Sequence, residues 1–199
     1  MITAMDTEHT VRRSAREELA TITHTRAMEA LAALLRDGDD VTFELLSRES
    51  GIPVRTLYRY FENKEALFAA FWPWLNKKID VPDRPRDAEE LLAHIPGLFD
   101  AFDRDEPLVR AMVHHPLGRD VRLAHAAARR EKFAEALREV TSGMPAAEAR
   151  NLLAAVTALC SASGWETMKD NWALSGPAAA EAAQWAVHAL INEARRQPR

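Results

Sequence analysis

SRESGIPVRTLYRYFENKEALF, residues 47–68, decides how this chain is read. A helix-turn-helix needs two short helices crossing steeply, a tight turn between them, and a second helix with one face to the core and one to a DNA groove. Each requirement has a residue here. Thr42, just upstream, carries a hydroxyl suited to capping the first helix, Leu46 falls on its inward side, and Ser47 and Ser50 are small enough for the second helix to approach. Gly51 tolerates the left-handed backbone of a sharp turn, Ile52 plugs the crossing, and Pro53 suits the first turn of the next helix.

In that next helix Leu57 and either Tyr60 or Phe61 fall at core spacing, which leaves Val54, Arg55, Tyr58 and Arg59 outward. Arg55 sits near the N-terminal end, where base edges are reached and an arginine donates two parallel hydrogen bonds to guanine. Thr56 and Tyr58 are suited to phosphate or to a thymine methyl. Asn63 is placed to cap the helix that follows, bringing Lys64 and that helix's first amides toward a phosphate.

TLYRYFENKEALF, residues 56–68, resembles the signature that closes the DNA-binding domain of the tetracycline-repressor-like, or TetR, family. The resemblance covers about Arg26 to Leu75 well, and the remainder only through the order of a DNA-binding unit followed by a longer helical domain. It implies that Thr56, Tyr58, Tyr60 and Lys64 meet the DNA backbone, and that Pro53 to Thr56, with Arg59, lie in or beside the major groove. Thr42, Pro53, Val54, Arg55, Thr56, Tyr58, Arg59, Tyr60 and Lys64 are therefore the candidate DNA-binding residues. The chain departs from the family pattern where Pro53 replaces the common serine and where Ser47 and Ser50 stand in place of alanine. The hydroxyl at the start of the recognition helix is thereby missing.

Outward from this segment, helical periodicity dominates and no alternating strand segment stands out, so the expected fold is all-α. A first helix is expected over 17–36, with Leu19, Ile22, Met28, Leu31, Ala32, Leu34 and Leu35 as its apolar stripe, ended by DGDD at 37–40. Short helices follow at 43–50, 53–60 and 63–78, then the proline-bearing DVPDRPRD at 80–87, then helices at 87–103, 106–114, 119–141, 146–171 and 177–196. The expected organisation is a flexible arm over 1–16, a helix-turn-helix domain over 17–62, a connecting helix over 63–79, and a ligand-binding and dimerisation domain over 80–199. Pro73 inside the connecting helix removes a backbone bond and should bend it near 69–73, and Pro96-Gly97 marks a similar irregularity.

Composition narrows the classes. With 47% apolar residues the 199-residue chain can bury a core, which excludes wholesale disorder. A single cysteine, Cys160, allows no internal disulfide, the N-terminus lacks the apolar run of a signal peptide, and no apolar stretch would cross a bilayer, so a cytoplasmic protein is expected. Residues 1–80 carry 11 Lys and Arg against 13 Asp and Glu, so attraction to phosphate must be local, and residues 50–60 hold Arg55 and Arg59 with no acid. That even balance favours the alternative, a helical protein-interaction module that keeps the helix-turn-helix shape without DNA binding. No glycine loop for phosphate, nucleophile elbow, HExxH or paired cysteine is present, so no enzyme, metal or cofactor is expected. His114 and His115 are adjacent and point about 100° apart on a helix, which keeps them from sharing one site.

The resemblance further implies a homodimer on a palindromic operator, with repression as the usual mode, and a small apolar or aromatic effector that releases DNA. Ala154, Ala155, Ala158 and Ala162, and Ala179, Ala182, Ala183, Ala186 and Ala189, would allow the last two expected helices to pack against copies of themselves. Trp72, Trp74, Phe99, Phe102, Met112, His114, Phe133, Trp165, Met168 and Trp172 are the candidate effector contacts. Of these, Trp165, Met168 and Trp172 are spaced to share one helix face.

Overall fold

The computed structural model describes residues 4–83 and 85–196, with side chains from residue 17 onward. Residues 1–3 of the expected arm, and the side chains of 4–16, lie outside the described residues. Among the described residues every regular element is a helix. The chain divides into two compact units, Met1–Phe71 and Trp72–Arg199.

In unit one, α1 (Ala4–Asp37) buries Ala27, Met28, Ala30, Leu31, Ala32, Leu34 and Leu35. The expected stripe began earlier, but Leu19 and Ile22 are 66% and 56% exposed. The reason is length. A 34-residue helix is about 51 Å long, whereas the helices that pack beside it have eight and seven residues and span about 12 Å each. They can cover only its C-terminal part.

The first of these, α2 (Phe43–Ser50), starts at Thr42, whose extended backbone lets its hydroxyl accept the Leu45 N–H at 3.1 Å. It turns Phe43, Leu46 and Ser50 inward. Buried Ser50 meets its polar obligations locally: its hydroxyl donates to the Leu46 carbonyl at 2.6 Å and accepts from Ile52 N–H at 3.2 Å. The buried serine therefore fits without an orphaned group.

Gly51 then takes a φ of +66°, and Arg26 from α1 donates to the Ser50 carbonyl at 2.5 Å across the same turn. A Cβ on Gly51 would lie 3.0 Å from the Arg26 Nη2, in a backbone conformation that L side chains rarely adopt. Gly51→Ala is expected to cost unit one about 1–3 kcal/mol. Urea unfolding followed through tyrosine checks this, since Tyr58 and Tyr60 are the chain's two tyrosines and both lie in unit one.

The second helix of the motif, α3 (Val54–Tyr60), begins after Pro53 rather than on it. Pro53 has φ −56° and ψ 138°, and its carbonyl receives Thr56 N–H at 2.8 Å and Leu57 N–H at 3.1 Å, with no side-chain cap. A rigid φ thus starts the helix in place of a hydroxyl. Next, α4 (Lys64–Lys78) is capped by Asn63, whose Oδ1 accepts Ala66 N–H at 2.7 Å. It stays helical through Pro73.

Unit two is built from α5 (Ala88–Arg104), α6 (Glu106–His114), α7 (Pro116–Ala124), α8 (Ala126–Ala136), α9 (Arg138–Thr141), α10 (Ala146–Leu159), α11 (Ala162–Trp172) and α12 (Gly176–Arg196). Asp87 caps α5 by accepting the Glu89 and Glu90 N–H groups at 3.0 and 2.8 Å, and α5 continues through Pro96. The core forms where α12 lies on α5, with α10 and α11 beside it. Leu91, Ile95, Phe99 and Phe102 of α5 are buried, as are Ala179, Ala183, Val187 and Ile191 of α12. Gln184 Nε2 donates to the Leu92 carbonyl at 2.9 Å and locks the pair in register.

Two expected helices are broken. The one expected over 119–141 is α7, α8 and α9, divided at His125 (φ −89°, ψ 3°) and Leu137 (φ −102°, ψ 14°). Both residues keep an i to i−4 bond, His125 N–H to Val121 at 3.1 Å and Leu137 N–H to Phe133 at 3.0 Å. The hydrophobic period therefore survives the bend, which is why periodicity does not reveal it. The helix expected over 146–171 breaks at Ser161, whose hydroxyl accepts Gly164 N–H at 3.0 Å and so caps α11. Here a signal existed, the Ser-Ala-Ser-Gly run at 161–164. In addition, α7 starts at Pro116 rather than 119, with His115 Nδ1 accepting Leu117 N–H at 3.2 Å.

Candidate nucleic-acid interface

The helix-turn-helix sets one side of α3 against the unit-one core and leaves the other free. Leu57 is 0% exposed and Phe61 3%, so Phe61 rather than Tyr60 takes the inward position. Arg55, Tyr58, Arg59 and Tyr60 are exposed, and Val54 and Thr56 half-buried. Pro53 and Lys64 are exposed at the two ends of this face, while Thr42 is half-buried at the α2 cap. Tyr58 is held by stacking on Phe43, ring centroids 4.2 Å apart, which aims its hydroxyl end without hiding it. The Arg59 guanidinium lies 5.5 Å from the Tyr60 ring centre. Among the described residues Arg55, Arg59 and Lys64 make no ion pair or side-chain hydrogen bond, so each retains its donors.

Unit two disperses the candidate effector contacts. Phe99, Phe102, Met112 and Trp165 are buried, and Phe102 meets Phe99 and Trp165 at 6.1 and 5.8 Å between ring centres. Trp72 stacks on His125 at 6.0 Å, and Trp74 sits under the Lys78 ammonium at 5.1 Å. Phe133 and Met168 are half-buried. Trp172 is 77% exposed, so the expected common face of Trp165, Met168 and Trp172 runs from core to solvent.

His114 is exposed at the edge of a charge network that sequence reading missed. Its Nε2 lies 2.9 Å from Glu166 Oε1, and Arg110 joins the same carboxylate at 3.1 Å as well as Glu106 at 2.8 Å and Asp170 at 2.7 Å. Lys169 donates to Asp103 at 2.7 Å and Glu106 at 2.6 Å, and Asp103 also accepts the Trp165 indole N–H at 3.1 Å. Asp170 raises the Arg110 guanidinium above its ordinary range, and Lys169 followed by Arg110 lowers the Glu106 carboxyl below its own. The i, i+4 spacings Glu106–Arg110 and Glu166–Asp170 were visible in sequence, but only folding brings α6 and α11 together. His115, the neighbour of His114, faces away as the α7 cap. Among the described residues no group of three or more His, Cys, Asp or Glu is placed to hold a metal, and no helix is long and apolar enough to cross a membrane.

An all-helical chain whose N-terminal unit joins α2 to α3 across the Gly51 turn has the helix-turn-helix shape. Residues 29–71 match the family model described as bacterial regulatory proteins, tetR family. The crystal structure of a TetR transcriptional regulator from Rhodococcus sp. RHA1 has a similar fold, with a TM-score of 0.51 over 86% of this chain and 98% of that one, at 21% sequence identity. No match is found among curated proteins.

Proposed function

We propose that the chain is a cytoplasmic repressor that binds a palindromic operator as a homodimer and leaves it when an apolar or aromatic small molecule occupies unit two. The observation that carries the DNA-binding part is the exposed row of Arg55, Tyr58 and Arg59 over a fully buried Leu57. Arg55 takes the base-reading role, Pro53, Val54 and Arg59 lie in or beside the major groove, and Thr56, Tyr58, Tyr60 and Lys64 hold phosphates. Thr42 acts at the α2 N-terminus.

The homodimer reading draws on the outer faces of the last helices. Ala179 and Ala183 are spent inside the chain at 0% exposure. Ala154 and Ala158 of α10 and Ala189 of α12 remain exposed, beside a Trp185 that is 75% exposed. Small residues on two neighbouring helices permit close approach of a second copy.

Selection of bound fragments from a random duplex pool tests DNA binding, symmetry and half-site separation together; a dimer should return half-sites about one helical turn, roughly 34 to 36 Å, apart. Arg55→Ala is expected to cost about 1–3 kcal/mol and to relax preference at one base position, whereas Lys64→Ala should weaken every sequence alike and flatten the salt dependence. Equal loss on all sequences for Arg55→Ala would reassign it to the backbone. No binding to any duplex at low salt would favour the protein-interaction module.

A further inference from the structure

The half-buried cations of unit two are treated in two different ways. Arg110 and Lys169 meet two or three carboxylates each. Arg122 and Arg129, on α7 and α8, meet none among the described residues. Arg122 is committed elsewhere: its two terminal nitrogens donate to the Met112 and Val113 carbonyls, closing the last turn of α6, the latter at 2.9 Å. Arg129 has only a 3.4 Å bond to the Arg122 carbonyl, so most of its five donors are unspent.

Burial pushes both guanidiniums down from their ordinary range, and like charge adds to it, from Arg129 and Arg119 on Arg122 and from Arg130 on Arg129. Glu166 opposes this at Arg122 only. Arg129 also lies on the inward side of its helix. Arg122, Ala126, Arg129 and Phe133 are half-buried at helical spacing and Leu137 is buried, while Ala127, Ala128, Arg130, Glu131 and Lys132 are exposed. His125, at the α7–α8 bend, carries the stacked Trp72 ring. A half-buried cation without a counter-charge is costly, and a planar guanidinium fork fits a carboxylate bidentately.

We infer that Arg129 is the anion-recognising residue of the effector site, and that the effector is a small carboxylate whose aromatic or aliphatic body lies along Ala126, Phe133 and the Trp72–His125 pair. This rests on the reading that the chain answers a small molecule. It adds the chemical class, because the cation selects against neutral ligands of the same shape and the apolar stripe selects against bare phosphate.

Thermal unfolding of the full chain at constant ionic strength, with benzoate, phenylacetate and octanoate set against benzamide, phenylacetamide and octanamide, tests the inference; inorganic phosphate serves as the anion control. At least one carboxylate should raise the melting temperature while its amide and phosphate do not. Arg129→Met should weaken that carboxylate at least tenfold, and Arg129→Lys should weaken it less, since it keeps the charge and loses the fork. Without ligand, Arg129→Met should melt at or above the parent temperature, because an unpaired half-buried charge has been removed. A drop of several degrees would make Arg129 structural and overturn the assignment. So would equal stabilisation by acid and amide, stabilisation by phosphate, retained binding in Arg129→Met, or no response to any acid of the set. Operator affinity measured with the same ligand separates the two readings: carboxylate binding through Arg129 with unchanged DNA affinity supports the anion site and removes the regulatory role.

Discussion

Trp165→Ala is expected to cost unit two about 3–5 kcal/mol, the range for deleting a fully buried large aromatic. Trp165 is 0% exposed, touches Phe102 edge-on, and has Arg110 at 5.3 Å and Lys169 at 4.8 Å from its ring centre. Its indole N–H also helps hold Asp103 at 3.1 Å, and Asp103 binds Lys169. Removing the ring opens a cavity and takes one donor from a carboxylate that anchors α5 to α11. Trp165→Phe keeps most of the volume and loses the hydrogen bond, so it should cost clearly less. All five tryptophans lie at or beyond residue 72, so the fluorescence of the remaining four reports unit two alone. An alanine variant that unfolds within 1 kcal/mol of the parent would show that this core re-forms without the ring.

Leu57→Ala should be the most damaging single change to DNA binding that touches no exposed residue. Leu57 is 0% exposed beneath α3, and deleting a buried leucine costs about 2–5 kcal/mol. Unit one comprises 71 residues, and a domain of that size is held by only about 4 to 10 kcal/mol in total. The loss is therefore a large share of the whole, and α3 should unfold or loosen at physiological temperature. The expected result is a collapse of the tyrosine near-ultraviolet signal and of operator affinity, with the tryptophan transition of unit two unchanged. Retained operator affinity at parental strength would mean that α3 is held by something other than this side chain.

These expectations separate what residue order can reveal from what it cannot. The helix-turn-helix was legible because its constraints are local. A hydroxyl at Thr42, a glycine that takes φ of +66° and a leucine at Leu57 each act within a few residues of chain. The exposure of Tyr60 and burial of Phe61 stayed open between neighbours, since a shift of 100° around a short helix is decided by which side meets α1 and α2. Leu19 and Ile22 keep the apolar period of α1 yet stand in solvent, because periodicity does not know where a neighbouring helix stops. In unit two the bends at His125 and Leu137 were hidden for a related reason: the bonding pattern and the apolar repeat continue across them.

By itself, then, the order of amino acids determined the all-helical class and the helix-turn-helix segment, because turn, cap and period are short-range consequences of residue type. Only tertiary structure decided which charges are paired. Arg110 and Lys169 find carboxylates more than 50 residues away along the chain, whereas Arg129 of α8 finds none among the described residues. Such pairings depend on which helices the core brings side by side, and Coulomb attraction acts across space rather than along sequence.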